Sequence, residues 1–282
     1  MNRIDLHIHT TASDGTFTPS ELIEKAYNIG LKTIAVTDHD TTEGLDEALE
    51  KSKEYPSLEV IQGTELSSLY KNREIHIVGL FVDKDNSEFK SGLERLKEKR
   101  TARNVKMINK LKGIGFDLSY DDLVSVSGGK VITRAHFARL LQEKGYAKDK
   151  NEAFDKYIGA GKPGYVKRDV LTAEKAIALI KKGGGLAVIA HPLMYGFNQR
   201  ELEDMAADFA FWGADGIECY YSTHSYSDTV LALSLAETYG LLPSGGSDFH
   251  GENKPGLNLG SGYGDLIVPQ KTLDNLKVKK YG

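Results

Sequence analysis

Arg3-Ile4-Asp5-Leu6-His7-Ile8-His9-Thr10 opens the chain with strict alternation: Ile4, Leu6 and Ile8 fall on one face of an extended segment, and Asp5, His7 and His9 on the other. The pattern predicts a strand with one apolar face and one face carrying imidazole and carboxylate. A loop with Ser13-Asp14-Gly15 follows. Thr18-Pro19-Ser20-Glu21 then has the order of a helix start, with Thr18 as N-cap, Pro19 at the first helical position, Glu21 completing a capping box, and Gly30 placed to end the helix. The unit is strand, loop, helix.

Working outward, the unit recurs. Residues 33–37 read as a strand before a helix over 44–53, and 59–62 and 74–82 read as further strands. Short apolar strands over 186–190, 216–220 and 241–244 are separated by helical stretches over 173–182, 199–212 and 227–239. Such alternation implies an α/β fold with a largely parallel sheet, and periodicity alone does not choose between a barrel and an open sheet. Between 87 and 168 the pattern turns helical and basic, with Glu94-Arg95-Leu96-Lys97-Glu98-Lys99-Arg100 leading into Met107-Ile108 and Leu111. This predicts a small, mainly helical subdomain at 87–168 for substrate recognition, inserted into a main domain of 1–86 and 169–282. Gly159-Ala160-Gly161-Lys162-Pro163-Gly164 reads as the loop returning from it.

Composition narrows the chemistry. One cysteine, Cys219, excludes intramolecular disulfides and a thiolate metal cage, leaving histidine and carboxylate as ligands. A formal net charge of −4 argues against general polyanion binding, though not against a local basic patch over an acidic, metal-filled site. There is no apolar run of bilayer length, and the first residues lack the basic-then-apolar order of a secretory signal. The expectation is a cytoplasmic protein with no membrane association and no stable protein partner.

Of the eight histidines, six stand at or just beyond the carboxyl ends of predicted strands: His7, His9, His39, His76, His191 and His250. In α/β folds that edge is where sites form. His7/His9 and Asp248/His250 are each two residues apart, so on an extended segment each pair projects to one side. With Asp14, Glu65 and the Asp38-His39-Asp40 run, they give a coordination sphere of nitrogen and oxygen. Such a sphere suits Mn²⁺, Fe²⁺ or Zn²⁺.

These residues stand in blocks: Asp5-Leu6-His7-Ile8-His9-Thr10 with Ser13-Asp14-Gly15, Thr37-Asp38-His39-Asp40-Thr41, Gly63-Thr64-Glu65, Ile75-His76-Ile77-Val78-Gly79, Ala190-His191-Pro192 and Gly246-Ser247-Asp248-Phe249-His250-Gly251. In kind and order they resemble the PHP (polymerase and histidinol phosphatase) superfamily of metal-dependent phosphoesterases. The Thr133-Arg134-Ala135-His136-Phe137-Ala138 block and the helical insertion further resemble the subgroup acting on nucleoside 3′,5′-bisphosphates and RNA 5′ ends, with Ala135 as a departure where that subgroup often has proline. The resemblance implies a distorted (β/α)7 barrel with two or three divalent cations at its carboxyl-terminal mouth. It places one cation on His7, His9, Glu65 and Asp248, a second on a bridging Glu65 with His76 and His191, and a third on Asp14, His39 and His250.

The expected activity is hydrolysis of a nucleotide phosphate ester by metal-activated hydroxide, removing the 3′-phosphate of nucleoside 3′,5′-bisphosphates, trimming short RNA 5′→3′, or both. Glu65 would act as bridging ligand and His191 as a candidate acid for the leaving group. Arg134 is the expected anchor for a second, non-reacting phosphate, with His136 two residues on and Lys162 in the glycine-rich return loop assisting. The rival expectations are a histidinol phosphate phosphatase and a non-catalytic, metal-binding regulatory module. A metal-dependent amidohydrolase is a further alternative, but the lysine that such barrels use stands in none of these motifs.

Overall fold

The computed structural model describes residues 3–128 and 131–282. In chain order its elements are β1 (Arg3–Ile8), α1 (Pro19–Asn28), β2 (Leu31–Val36), α2 (Leu45–Ser52), β3 (Glu59–Tyr70), β4 (Arg73–Leu80), α3 (Ser87–Gly113), α4 (Tyr120–Ser127), α5 (Arg134–Glu143), α6 (Lys150–Ala153), β5 (Leu171–Thr172), α7 (Ala173–Lys182), β6 (Leu186–Ile189), α8 (Gln199–Phe211), β7 (Gly216–Tyr221), α9 (Tyr226–Tyr239), β8 (Leu242–Gly246) and α10 (Gln270–Tyr281). Thr18 caps α1 with both halves of the capping box formed and Pro19 in the first turn, as its residues predict. The N-cap oxygen and the Glu21 carboxylate satisfy amide groups that the first turn cannot pair internally.

Seven strands lie in the order β1-β2-β3-β4-β6-β7-β8, with β5 pairing only β3. All neighbours on that path are parallel except the two pairings of β4, which runs antiparallel to β3 and to β6. The sheet curls into a nearly closed barrel: the amide of Asp248 donates to the carbonyl of His7 at 2.8 Å and that of His9 to Phe249 at 2.9 Å, so the chain leaving β8 returns to β1. A Cβ on Gly246 would collide with the backbone nitrogen and Cβ of His7, so only glycine lets β8 approach at this seam. Buried Ile4, Leu6, Ala35, Val78, Val188 and Ala190 share one cluster. The apolar face of β1 is therefore core, and its polar face is free for chemistry.

One strand departs from the sequence reading. Glu65 does not follow a short strand; it lies inside β3, which continues eight residues beyond Gln62 to Tyr70 and turns back as β4. His76 accordingly sits in the middle of antiparallel β4, opposite Ser67, rather than at a strand's carboxyl end. Once a hairpin replaces a helical crossover, polarity reverses, and a mid-strand residue of β4 reaches the same mouth.

Helix α3 is shared between two cores. Phe89, Leu93 and Leu96 pack with α7 and the sheet, whereas Met107, Ile108 and Leu111 pack with Leu123, Phe137, Leu141, Ala153 and Ile158 in a separate cluster contributed by α3 to α6 and their loops. That second cluster stands over the mouth: the amide of Val131 donates to the carbonyl of Ala12, and Lys150 of α6 pairs with Asn253 beyond β8. Among the described residues no helix is long and apolar enough to cross a membrane.

Candidate metal centre

The barrel mouth gathers all nine nominated ligands around Glu65. Its Oε1 lies 3.0 Å from Nε2 of His191, 3.1 Å from Nδ1 of His76 and 3.4 Å from Nε2 of His7. Its Oε2 lies 2.9 Å from Nδ1 of His39 and 3.4 Å from Nε2 of His9. Oδ1 of Asp248 is 3.3 Å from both Nε2 of His9 and Nδ1 of His250, and Oδ1 of Asp14 is 3.3 Å from Nε2 of His250. Burial pushes the Glu65 carboxyl up, but His76, His7 and His39 outweigh it and hold it well below the usual carboxylate range.

Three groups have donor atoms close enough to share an ion: His7, His9 and Asp248; His39, Glu65 and His76; and His9, Asp14, His39 and His250. Compared with the set implied by resemblance, Glu65 drops from the first group, His39 replaces His191 in the second and His9 joins the third. The residues fit divalent cations. Nδ1 of His191 is buried without a hydrogen-bond partner among the described residues, and Oδ1 of Asp14 and Nδ1 of His39 meet only other members of the cluster. Buried polar atoms are rarely left so unless a further partner belongs there, and imidazole with carboxylate is a donor set for such a cation.

The backbone is bent to deliver these side chains. Asp40, His191 and Asp248 have left-handed φ of 53°, 28° and 57°, conformations that cost non-glycine residues about 1–3 kcal/mol and cluster at functional sites. Asp248 and His250 therefore do not converge by strand alternation as their spacing predicts, but through this left-handed turn after β8. His7 on β1 and His9 just beyond it do follow the alternation.

Buried carboxylates outside the nine nominated ligands hold the frame. Asp38 accepts from the amides of Thr10 and Ser13 at 2.8 and 3.1 Å and from both their hydroxyls, fixing the loop that carries Asp14. Asp5 accepts from the Ser247 and Gly260 amides, each at 2.8 Å, tying β1 to the segment that carries Asp248. Glu218 on β7 accepts from Nδ1 of His7 at 2.8 Å and from the His191 amide at 2.6 Å. Glu218 escaped the sequence reading, although a carboxylate between Ile217 and Cys219 in an otherwise apolar strand was its signal.

Beside the ligands lies a cavity of about 190 Å³ lined by four arginines, Arg100, Arg103, Arg134 and Arg168, and sharing Asp14, His39 and His76 with the centre. Asp40 pairs with Arg100 and with Arg168 at 2.9 Å; Glu74 pairs with Arg168 at 3.3 Å and Arg134 at 3.5 Å. Burial raises the Asp40 carboxyl, but Arg168 and Arg100 hold it below the usual carboxylate range. Four guanidinium groups face Asp40 and Glu74, an excess of two positive charges over the carboxylates they pair with; the third carboxylate of the lining, Asp14, sits among the histidines of the centre. Among the described residues Arg103 forms no ion pair with a carboxylate; its Nη1 donates to the Met107 sulfur at 2.9 Å. Burial, with Arg100, Arg168 and Arg134 alongside, pushes the Arg103 guanidinium down to about 9. The Nε groups of Arg100, Arg103 and Arg168 are buried without acceptors among the described residues.

Of the three nominated phosphate contacts, Arg134 lines this cavity. His136 does not; its Nδ1 accepts from the Thr133 amide at 3.0 Å as part of the α5 cap. Lys162 is exposed in the 159–164 turn, away from the cavity lining.

The PHP domain profile matches residues 5–165. The chain is 38% identical over 248 residues to a 5′-3′ exoribonuclease of Haemophilus influenzae, covering 88% of this chain and 90% of that protein. The chain belongs to the PHP family. A second PHP relative, a 3′,5′-nucleoside bisphosphate phosphatase of Chromobacterium violaceum, is 36% identical over 261 residues, covering 92% of this chain and 91% of the relative. A solved structure from Bifidobacterium adolescentis, described as a metal-dependent phosphoesterase, superposes with a TM-score of 0.85 at 29% identity, covering 100% of this chain and 97% of the other. This PHP protein is a metal-dependent phosphoesterase, an enzyme that hydrolyses phosphate esters, and the His and Asp clusters at its mouth fit divalent metal.

Proposed function

We propose that the chain hydrolyses a nucleotide phosphate ester flanked by a second phosphate, as in a nucleoside 3′,5′-bisphosphate or the 5′ end of a short RNA. The observation that carries this reading is the four-arginine cavity sharing His39, His76 and Asp14 with the metal ligands. Its excess of two positive charges matches a phosphate monoester dianion, and arginine suits bidentate phosphate contacts. The names of the Haemophilus and Chromobacterium relatives support the same substrate class.

His7, His9, Asp14, His39, Glu65, His76, His191, Asp248 and His250 would hold two or three cations, a trinuclear set of Mn, Fe or Zn in this reading. Cations there neutralise the scissile phosphate, lower the pKa of a water that becomes the nucleophile and stabilise the departing oxygen. Glu65, with histidines at both of its oxygens, would hold a cation through each, and His191, whose Nε2 lies 3.0 Å from Glu65 and which stands outside the three donor groups, would pass a proton to the leaving oxygen. Arg134, Arg103, Arg100 and Arg168 orient the remote phosphate so that the scissile one sits over the ligands. The segment 87–168 acts as the recognition subdomain: α3 contributes Arg100 and Arg103, α5 contributes Arg134, and Arg168 ends the segment. Cytoplasmic location and independence of a protein partner complete the reading.

A phosphate-release panel with added Mn²⁺ tests it, comparing adenosine 3′,5′-bisphosphate, 5′-phosphorylated RNA, histidinol phosphate and an aryl phosphate. The bisphosphate or the RNA should be turned over with the highest kcat/KM; a preference for histidinol phosphate would overturn the reading.

A further inference from the structure

A second cavity, about 350 Å³, opens on the metal ligands and contains no arginine. It shares Asp14, His39, His76 and Ala135 with the arginine cavity, so the two flank the same ligand cluster. Their chemistries differ. The second is walled by Met194, Tyr195 and Tyr221, with Lys254 as its single cationic side chain. Both tyrosine rings stand 5.4 Å from the His191 ring. Lys254 pairs with Asp248, whose Oδ2 also accepts from the Tyr221 hydroxyl at 2.7 Å. Met194 is 55% exposed, and its sulfur accepts from the Thr223 hydroxyl at 3.3 Å, which ties the turn after β6 to the loop after β7. Three residues beyond Thr223, Tyr226 is 86% exposed at the start of α9.

We propose that this second cavity receives the downstream nucleoside of a phosphodiester substrate, and that Met194 decides how well the enzyme cleaves diesters relative to monoesters. The inference rests on the reading above, in which the remote phosphate occupies the arginine cavity. With that phosphate as the 5′ group, the nucleoside spans from the arginines to the ligands and its O3′–P bond lies over the cluster. Hydrolysis forms a bond from the water oxygen to phosphorus and breaks the P–O3′ bond; one water proton ends on O3′ and the other stays with the phosphate. This balance is the same whether phosphorus carries only oxygens or also the O5′ of a following nucleotide. Bisphosphate and RNA thus share a leaving group and differ only in the group left on phosphorus.

That extra group takes the place of one non-bridging oxygen, and the second cavity, flanking the same ligands as the arginine cavity, offers it room. The exposed Met194 thioether beside the half-buried Tyr195 ring, with one ammonium, suits a base and a single phosphodiester charge, since bases stack on such surfaces without regard to sequence. This wall lacks the positive charge needed to hold a dianion against the arginine cavity's competition.

Steady-state kinetics with Mn²⁺ on adenosine 3′,5′-bisphosphate and on the 5′-phosphorylated dinucleotide pApA tests this, for the wild type, Met194→Ala and Met194→Trp. Met194→Ala removes a stacking surface, and Met194→Trp fills the cavity; the exposure of Met194 lets either variant fold. The dinucleotide-to-bisphosphate ratio of kcat/KM should fall about tenfold in Met194→Trp and several-fold in Met194→Ala, with the Ala effect mostly in KM. An unchanged ratio in both variants, or a ratio that rises, overturns the inference while leaving the bisphosphate reading standing. A wild type that hydrolyses neither substrate overturns that reading, and this inference with it.

Discussion

Glu218 accepts from Nδ1 of His7 at 2.8 Å, on the opposite side of the ring from the Nε2 that lies 3.1 Å from Nε2 of His9. Both residues are buried. A carboxylate so placed fixes the tautomer and the orientation of the imidazole and makes the other nitrogen a better donor to metal. Glu218 also accepts from the His191 amide, so one side chain aligns two ligands from different strands. Glu218→Gln should weaken metal binding about 10- to 100-fold, as read by Mn²⁺ titration of the metal-free protein. Unchanged affinity would make Glu218 a folding residue only.

Glu65 touches five histidines, so its carboxylate holds the cluster at one spacing. Glu65→Gln removes a negative charge shared by two proposed ions and puts an amide nitrogen among imidazoles. Metal content and activity should fall together in this variant. Full activity with reduced metal would remove the bridge from the account.

Arg103 is the arginine to test first, because among the described residues it is the one of the four without an ion pair to a carboxylate. Arg103→Met should cost about 2–3 kcal/mol in kcat/KM for adenosine 3′,5′-bisphosphate, the range for losing a hydrogen bond to a charged group. Arg134→Ala should cost less, since Arg134 is about one-third exposed and shares Glu74 with Arg168. For an aryl phosphate, which has no remote phosphate, both losses should be far smaller. Equal losses on both substrates would mean that these arginines support the metal ligands instead.

Much of this was legible in the sequence. Alternation in β1 sets His7 and His9 on the polar face because the opposite face is core, and the Thr18 capping box marks the first helix. What the sequence concealed depends on tertiary closure. Arg100 sits in a run of charges that reads as a solvated helix face, and only the packing of α3 over the mouth brings it to Asp40 beside Arg168, 68 residues further on. Arg134 was visible because it opens a helix after a capping threonine, but its helix position draws His136 into the cap rather than the cavity. The hairpin that joins Glu65 to His76 was hidden for another reason: β3 runs on through Ser67 and Ser68, and a polar, β-compatible stretch of that kind reads as a loop.

Away from the site, Tyr70 donates to Asp208 at 2.6 Å. Burial, reinforced by the Asp208 carboxylate, pushes the phenol up to about 12. A group whose folded value is raised stabilises the protein fully below its unfolded value, roughly 10, and loses that contribution as pH rises through the folded value. Tyr70→Phe should therefore cost about 1 kcal/mol at pH 8, and the gap in Tm between wild type and variant should close between about pH 10 and 12. A gap that persists at pH 12 would show that the hydroxyl stabilises by some other route.

The central claim is that several cations, held together by Glu65 and the histidines around it, carry the hydrolysis of a nucleotide phosphate ester. Its most direct test is titration of the metal-free protein with Mn²⁺ while phosphate release from adenosine 3′,5′-bisphosphate is followed. The account predicts that activity climbs only as more than one equivalent of metal binds per chain. Full activity at one equivalent or fewer, or phosphate release that persists in the presence of a chelator, would contradict it.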